Sequence, residues 1–410
     1  LCKTNKLKVL NDPVYGFISI PNETLFDLIE SPYFQRLRWI KQTGLSALVY
    51  PGAQHTRFHH ALGCLHLMTK LIRILRQKGH AISPEEEEGA QIAILLHDMG
   101  HGPFSHALEE LILPVSHEWL SLRFMRALNA QFGGKLDLAI RIFEGTHPRK
   151  FLHQLVSSQL DVDRLDYLKR DSFYTGVNEG ALDFDRLIYM MNVHQEELVV
   201  DHKGIYSVEK FLIARRLMYW QVYLHKTSFV AEQMLKMALG RAREKTTRLD
   251  EPGMENLAYF LAEERTAERF TTADLERFAA LDDADVRYAL KRWCHSEDEV
   301  LASLSKRLLQ RDLLKIAIRD APFDPQQVNR IKRAVEAQLG LPSAYFVYQG
   351  KVENRAYRDQ VDSIDILFPD GSLKDISLAS DQLNLSALTQ PVVKNYLCYP
   401  KELSPLSGHA

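Results

Sequence analysis

Two short alternating runs flank an Asp-Pro pair in LKVLNDPVYGFISI, residues 7–20, and predict a β-hairpin. Beyond Asn22 the apolar period lengthens to three and four residues and stays helical to about residue 315. NETLFDLIESPYFQRLRWIKQTG predicts two helices broken at Pro32, the second ended by Gly44. HHALGCLHLMTKLIRILRQKG predicts an amphipathic helix that stops at Gly79. The acidic run SPEEEE, from Ser83, reads as a helix start: Ser83 caps, Pro84 suits the first turn, and Glu86 stands three after the cap. Its continuation, GAQIAILLHD, is too apolar for a surface helix and belongs at the centre of the fold. After about Ala321 the character changes. One more helix, near Pro325 to Leu339, precedes the β-rich segments AYFVYQG, SIDILFPDGSLKDISL and PVVKNYLCYP, with PDGS as a hairpin signal. The fold class expected is mostly α: a helical core over residues 1–320 with a short N-terminal β-hairpin, and a smaller, separate α+β lobe over 321–410.

Composition changes this picture little: 46% hydrophobic and 25% charged residues are ordinary for a globular chain. Lys+Arg of 51 against Asp+Glu of 53 leave no bulk field to draw in nucleic acid or an anionic membrane, so neither is an expected partner. A polyanionic substrate needs a local cluster of cations. Cys2, Cys64, Cys294 and Cys398 lie far apart with no CxxC pair, against both a disulfide framework and a cysteine zinc site. A reducing cytoplasm is the expected location. No apolar run approaches the ~20 residues that span a bilayer.

The candidate chemistry gathers in four places. His59 and His60 open the amphipathic helix, His97-Asp98 ends the apolar one, His101 and His106 lie in the following GHGPFSH loop, and Asp163 lies in DVDRLDYLKRD. An Asp beside a His at the end of a buried helix is expensive unless paired or metal-bound. Imidazole and carboxylate together suit a borderline divalent ion. Gly100, Gly102 and Pro103 break the helix there, which lets the backbone pass close to a bound group. Asp163, Asp166, Tyr167 and Arg170 share one helical stripe beside the apolar Val162, Leu165 and Leu168. Taken singly, each has a plainer reading: a satisfied core histidine, a solvated helix with internal ion pairs, a cap. Their joint occurrence in this order carries the signal.

The ordered motifs NDPVYG, FQRLRWIKQTG, PGAQHTRFHHALG, HDMGHGPFSH and DVDRLDYLKRD resemble the HD-domain metal-dependent phosphohydrolases, closest among them the deoxynucleoside triphosphate triphosphohydrolases. The likeness covers residues 7–230 strongly and the C-terminal lobe loosely. It implies an HD-domain helical core with His60, His97, Asp98 and Asp163 as ligands of a divalent ion (Mn, Mg, Fe, Ni, Co or Zn), and His59 as a neighbour. It implies His106 as general acid with Glu109, in place of the usual Asp, as its partner, and Arg57, His101, His117 and Arg164 as phosphate contacts. Tyr167 and Asp171 fall near the sugar, and Gln42 and Tyr223 on the substrate side. Thr43 and Leu224 depart from the family pattern beside the nucleotide and the base. Lys8, Val9, Gln35 and Arg38 match an activating guanine-nucleotide site found in some relatives, with Glu30 replacing the usual Asp; the plainer alternative for FQRLRWIKQ is an amphipathic helix with exposed cations. A homo-oligomer, dimer or tetramer, is implied by the same likeness.

The reaction so implied converts a deoxynucleoside triphosphate to deoxynucleoside and triphosphate, with a metal-activated hydroxide attacking the α-phosphorus. Two alternatives stand beside it: an HD-type phosphatase or phosphodiesterase acting on another nucleotide, and a non-catalytic nucleotide-sensing oligomer. A GYP tripeptide after the HD region and an adjoining synthetase-like region, marks of two other HD classes, are absent from the sequence.

Overall fold

The computed structural model describes residues 8–105, 109–180, 182–245, 252–263, 265–355, 357, 363–381 and 389–403. The chain opens on the expected hairpin: β1 (Val9–Asp12) pairs antiparallel with β2 (Gly16–Ser19). The Asp12 carboxylate accepts the Val14 and Tyr15 N–H groups and so closes the turn itself. α1 (Glu23–Glu30) follows, capped by the Asn22 side chain.

The second helix expected in this stretch is much shorter than its pattern suggests. Pro32–Gln35 is α-helical, Arg36–Trp39 tightens to a 3-10 turn, and Ile40 is extended. Tertiary contacts of two residues explain the break. The buried Arg36 guanidinium turns inward to the Met99 and His101 carbonyls, and Lys41 forms a β-bridge with Thr56. Gly44, in a left-handed conformation, starts a further 3-10 turn over Gly44–Leu48 rather than ending a helix.

The core is built on α2 (Arg57–Gln77) and α3 (Pro84–Leu96). Ser83 and Glu86 form the predicted capping box, with Ser83 N–H donating to Glu86 at 2.8 Å and Glu86 N–H to Ser83 Oγ at 3.2 Å. Every residue of α3 from Gly89 to Leu96 is buried, as its uniform apolarity requires. α4 (His117–Gln131), α5 (Asp137–Phe143) and α6 (Val162–Thr175) surround this pair, α5 lying on α3 and α6 on α2. Val162, Leu165 and Leu168 form the buried stripe that anchors α6, and Gly176 ends it in a left-handed turn.

After the antiparallel pair β3 (Met191–His194) and β4 (Glu197–Asp201) come α7 (Ile205–Met218), α8 (Lys226–Glu244), α9 (Asp283–Trp293) and α10 (Glu299–Leu309). The remaining strands are β5 (Lys315–Arg319), β6 (Tyr348–Asn354), β7 (Asp365–Leu367), β8 (Leu373–Asp375) and β9 (Val392–Tyr399), with α11 (Pro325–Ala334) between β5 and β6. PDGS does join two antiparallel strands, β7 and β8. Both sheets of this region recruit strands from before Ala321: β7 adds in parallel to β4, and β9 lies between β5 and β6 in the order β5-β9-β6. Strand pairing covers edges that would otherwise be open, so the lobe shares its sheets with the core rather than folding as a separate sheet unit. Among the described residues no helix is long and apolar enough to cross a membrane.

Candidate metal centre

α2, α3 and α6 bring four of the predicted residues together. His60 Nε2 lies 3.0 Å from Asp163 Oδ1 and 3.6 Å from Asp98 Oδ2. His97 Nε2 lies 3.4 Å from Asp98 Oδ1 and 3.6 Å from Asp163 Oδ1. Each imidazole is fixed from behind by its other nitrogen: His60 Nδ1 bonds Asp166 Oδ2 at 2.7 Å, and His97 Nδ1 bonds the Ile94 carbonyl at 2.6 Å. Outer bonds of this kind set the tautomer and turn both Nε2 atoms inward. His97 Nε2 is buried with no hydrogen-bond partner among the described residues, although an unsatisfied buried polar atom is costly. Its place beside three other N and O donors fits a divalent cation.

The electrostatics point the same way. Burial opposes a proton on His60, yet Cys64, Asp163 and Asp166 raise its pKa well above the ordinary range. His97 rises too, against its burial, through Asp98 and Asp163. Burial pushes the other way on Asp98, but Arg57, His97 and His101 hold it well below the carboxylate range, and His60 and His97 do the same for Asp163. A pocket that draws protons onto its imidazoles and off its carboxylates is one in which positive charge is stabilised, and a metal ion could take the place of those protons. Cys64 also comes within reach of the ligand atoms of His60, His97 and Asp163; patterning gave it no such place, because one apolar-like Cys on a helix face carries no signal.

Arg57 heads α2 with its guanidinium on two targets, donating Nε–H to Ser105 Oγ at 2.8 Å and Nη1–H to Asp98. His101 Nε2 lies 3.3 Å from Asp98 Oδ1, and its ring stacks on His117 with centroids 3.9 Å apart. The two rings are driven apart in pKa. Burial and the Arg57 charge push His101 well below its ordinary value, whereas burial of His117 is outweighed by the hydrogen bond from its Nδ1 to Glu109 at 2.7 Å together with the Asp98 and Glu118 charges, which raise it. The two stacked imidazoles are therefore pushed in opposite directions, His101 toward its neutral form and His117 toward its cation. Glu109 also accepts the His117 backbone N–H at 2.6 Å. His106 lies outside the described residues. His59 caps α2, its Nδ1 accepting the Thr56 N–H at 3.2 Å, and it takes no place among the ligands.

The sugar-side candidates are joined as well. Asp171, fully buried, accepts from Tyr223 Oη at 2.6 Å and faces His55 Nε2 at 2.6 Å; Tyr167 packs edge-on against Tyr223. Gln42 Oε1 is buried without a hydrogen-bond partner among the described residues. Arg164 is directed instead at the loop before α6, donating Nε–H to the Ser158 carbonyl at 2.6 Å. The residues matched to an activator site divide: Arg38 donates to Gln35 Oε1 and covers the Phe58 ring, while the Lys8 ammonium sits over Phe26. Val9 and Glu30 are exposed.

Patterning did not single out Arg36 or Asp283. Both clamp the loop that leaves the centre. Arg36 bonds the Met99 and His101 carbonyls at 2.8 Å each, and Asp283, from α9, accepts the Phe104 N–H at 2.7 Å and the Lys41 N–H at 3.1 Å. Phe104 and Ser105 are both left-handed, a conformation that non-glycine residues hold only when their surroundings impose it. Asp283 lies far away in sequence, and nothing in its local run DDAD sets it apart from an ordinary helix cap.

A helical core that turns two imidazoles and two carboxylates onto one buried point, flanked by arginine, defines a class of metal-dependent hydrolytic sites. The comparisons name it. The HD domain family profile matches residues 57–171, and that of the HD associated region matches 182–258. The crystal structure of a phosphohydrolase from Bacteroides thetaiotaomicron is 48% identical, with a TM-score of 0.90 over 96% of this chain and 99% of that one. The uncharacterized protein YwfO of Bacillus subtilis is 29% identical over 98% of this chain and 94% of its own length. The deoxynucleoside triphosphate triphosphohydrolase SAMHD1 homolog of Dictyostelium discoideum is 32% identical over 255 residues, and the matched part spans 57% of this chain but only 49% of that protein. The chain belongs to the HD-domain phosphohydrolase family.

Proposed function

We propose that this phosphohydrolase cleaves deoxynucleoside triphosphates to deoxynucleoside and inorganic triphosphate, using one divalent ion held by His60, His97, Asp98 and Asp163. The observation that carries the reading is the pair of inward Nε2 atoms beside two carboxylates, with the Arg57 guanidinium adjoining them. A divalent ion held by these four residues would supply a water-derived nucleophile near neutral pH. Arg57 and His117, whose proton Glu109 favours, would neutralise charge spreading over the phosphate oxygens, with His101 donating a hydrogen bond beside them. His106 is assigned the proton to the leaving ester oxygen, with Glu109 as the partner that the family resemblance implies. Asp171, already an acceptor for Tyr223, would take the sugar 3′-hydroxyl, with Tyr167 and Gln42 lining the same side. Arg164 would swing from Ser158 to a phosphate. A homo-oligomer and a guanine-nucleotide activator on Lys8, Val9, Glu30, Gln35 and Arg38 belong to the same reading.

The test is a product-resolved screen of each deoxynucleoside triphosphate with Mn or Mg, with and without GTP. Triphosphate release is expected, and its loss by at least about 1,000-fold in His97→Ala and Asp163→Ala, since both remove a ligand outright. Release of monophosphate or diphosphate instead, or intact nucleotide under every condition, rejects the substrate assignment.

A further inference from the structure

The metal ligand His60 is tied to the N-terminal hairpin by an unbroken chain of buried charge. Asp166 Oδ2 accepts two hydrogen bonds at once, from His60 Nδ1 at 2.7 Å and from Arg170 Nε at 2.9 Å. Arg170 Nη2 bonds the other Asp166 oxygen at 3.0 Å, and Arg170 Nη1 reaches across to Asp12 Oδ2 at 2.7 Å. Asp166 and Arg170 are wholly buried and Asp12 is 6% exposed. Tyr15 packs beneath the guanidinium, 5.5 Å from its carbon.

Closing the hairpin turn does not explain this arrangement. The turn uses Asp12 Oδ1, which accepts the Val14 and Tyr15 N–H groups, and an asparagine oxygen would serve there equally. The second oxygen is directed at an arginine 158 residues away. One guanidinium thus lies between two carboxylates. If Asp166 held it alone, the full cationic charge would bear on the oxygen that His60 also needs, and the imidazole would meet a weaker acceptor. A carboxylate that accepts strongly from Nδ1–H makes Nε2 the better metal donor.

We propose that Asp12 is a positioning residue for metal binding: by sharing Arg170 it keeps Asp166 available to hold His60 in its metal-donating tautomer. The N-terminal hairpin is thereby a determinant of metal affinity although it contributes no ligand. This rests on His60 being a ligand, as the proposed function has it, but on no particular nucleotide.

The experiment measures the Kd of Mn for the full chain without nucleotide, by chelator competition, in wild type, D12N, R170K and the double variant, with the melting temperature of each metal-free protein. D12N keeps the turn oxygen and loses the charge. Its expected effect is a weakening on the order of 5-fold, below the 10- to 100-fold typical of groups that touch a ligand directly. R170K, whose single nitrogen cannot bridge both carboxylates, should weaken binding more. The double variant should lose no more than R170K, because Asp12 acts only through that side chain. The control is D298N, which breaks the Arg241–Asp298 ion pair at another helix cap and should leave Kd unchanged. In 15N-histidine spectra of D12N, the His60 Nδ1–H resonance should move upfield. A Kd within twofold of wild type in D12N, an equal loss in D298N, or additive losses in the double variant overturns the inference. If D12N does not fold, R170K, which leaves the hairpin turn intact, decides it by the same Kd limit. Failure of the wild type to bind Mn rejects the proposed function instead, so the two failures are distinct.

Discussion

The helical core and the strand-bearing C-terminal region treat buried polarity in opposite ways. Among the described residues, the buried charged side chains all lie at or before Asp283; beyond Ser305 only Ser343 and Asn395 are buried and polar, and neither is charged. Burying an ion costs several kcal/mol unless it is paired. The core nevertheless encloses Arg36, Arg57, Asp98, Asp166, Arg170 and Asp171, most of them in bonds that lead to the same point. The C-terminal region, built on apolar side chains such as Ile364, Ile366, Leu397 and Tyr399, accepts none of that cost. Both regions are well packed. What separates them is that one is arranged around charge and the other around exclusion of water, and only the first has a chemical reason to be.

The sharpest way to break this contrast is at Gly63. A Cβ added there would overlap the Asp166 carboxylate and the Arg170 guanidinium, two groups with no room to retreat. Overpacking of a dense interior costs about 1–3 kcal/mol, and displacing a buried ion pair adds to it. Gly63→Ala is therefore expected to lose about 3 kcal/mol of stability in urea unfolding and to bind Mn at least about 10-fold more weakly. A variant with wild-type stability and Mn affinity would mean that the charge chain can shift freely, and the core would be no more constrained than the lobe.

The sequence showed much of this centre and not its supports. His97 and Asp98 stood out because titratable residues at the end of a buried helix conflict with burial unless something pairs with them, whereas the choice of His60 over His59, and of Asp163, came from the family resemblance. Ser83 and Glu86 were legible because a capping box is local. The Arg36–Trp39 segment was not: its apolar spacing is helical, and only the distant Met99 and His101 carbonyls pull Arg36 inward and end the helix. Asp283 and the parallel pairing of β7 to β4 were hidden for the same reason, since each depends on a partner far along the chain. Asp12 was visible only as a turn residue, and its second oxygen has no local signature.

A smaller effect tests whether charge in the core is tolerated only where it is paired. Burial raises the pKa of Glu232, on α8, to about 7, partly countered by Lys236. A folded-state pKa above the ordinary 4.5 means that the folded protein binds the proton more tightly than the unfolded chain. Its ionisation therefore costs stability progressively as pH rises from 4.5 to about 7, and the cost is constant above that. Glu232→Gln removes it. Because the side chain is partly exposed, the gain is expected to be about 1 kcal/mol at pH 8 and to vanish at pH 4. Melting curves at the two pH values decide it: equal shifts at both would show that the effect is packing, not charge.

The C-terminal region offers the smallest expected effect. Lys394, on β9, pairs with Asp320 at 2.6 Å, but the Asp320 side chain is 83% exposed. Solvent screens such a pair, and its loss costs between 0 and about 1 kcal/mol. Lys394→Ala should therefore change stability by no more than about 0.5 kcal/mol. Mn affinity and hydrolysis should be unchanged, because among the described residues no buried charge connects this strand to the centre. Yet Lys394 also lines a cavity with Tyr50, Trp220, His225 and Lys226, where β9 meets the start of α8. If hydrolysis falls severalfold while stability and Mn affinity hold, the lobe acts on the site through that cavity, and its lack of buried charge no longer marks it as a bystander.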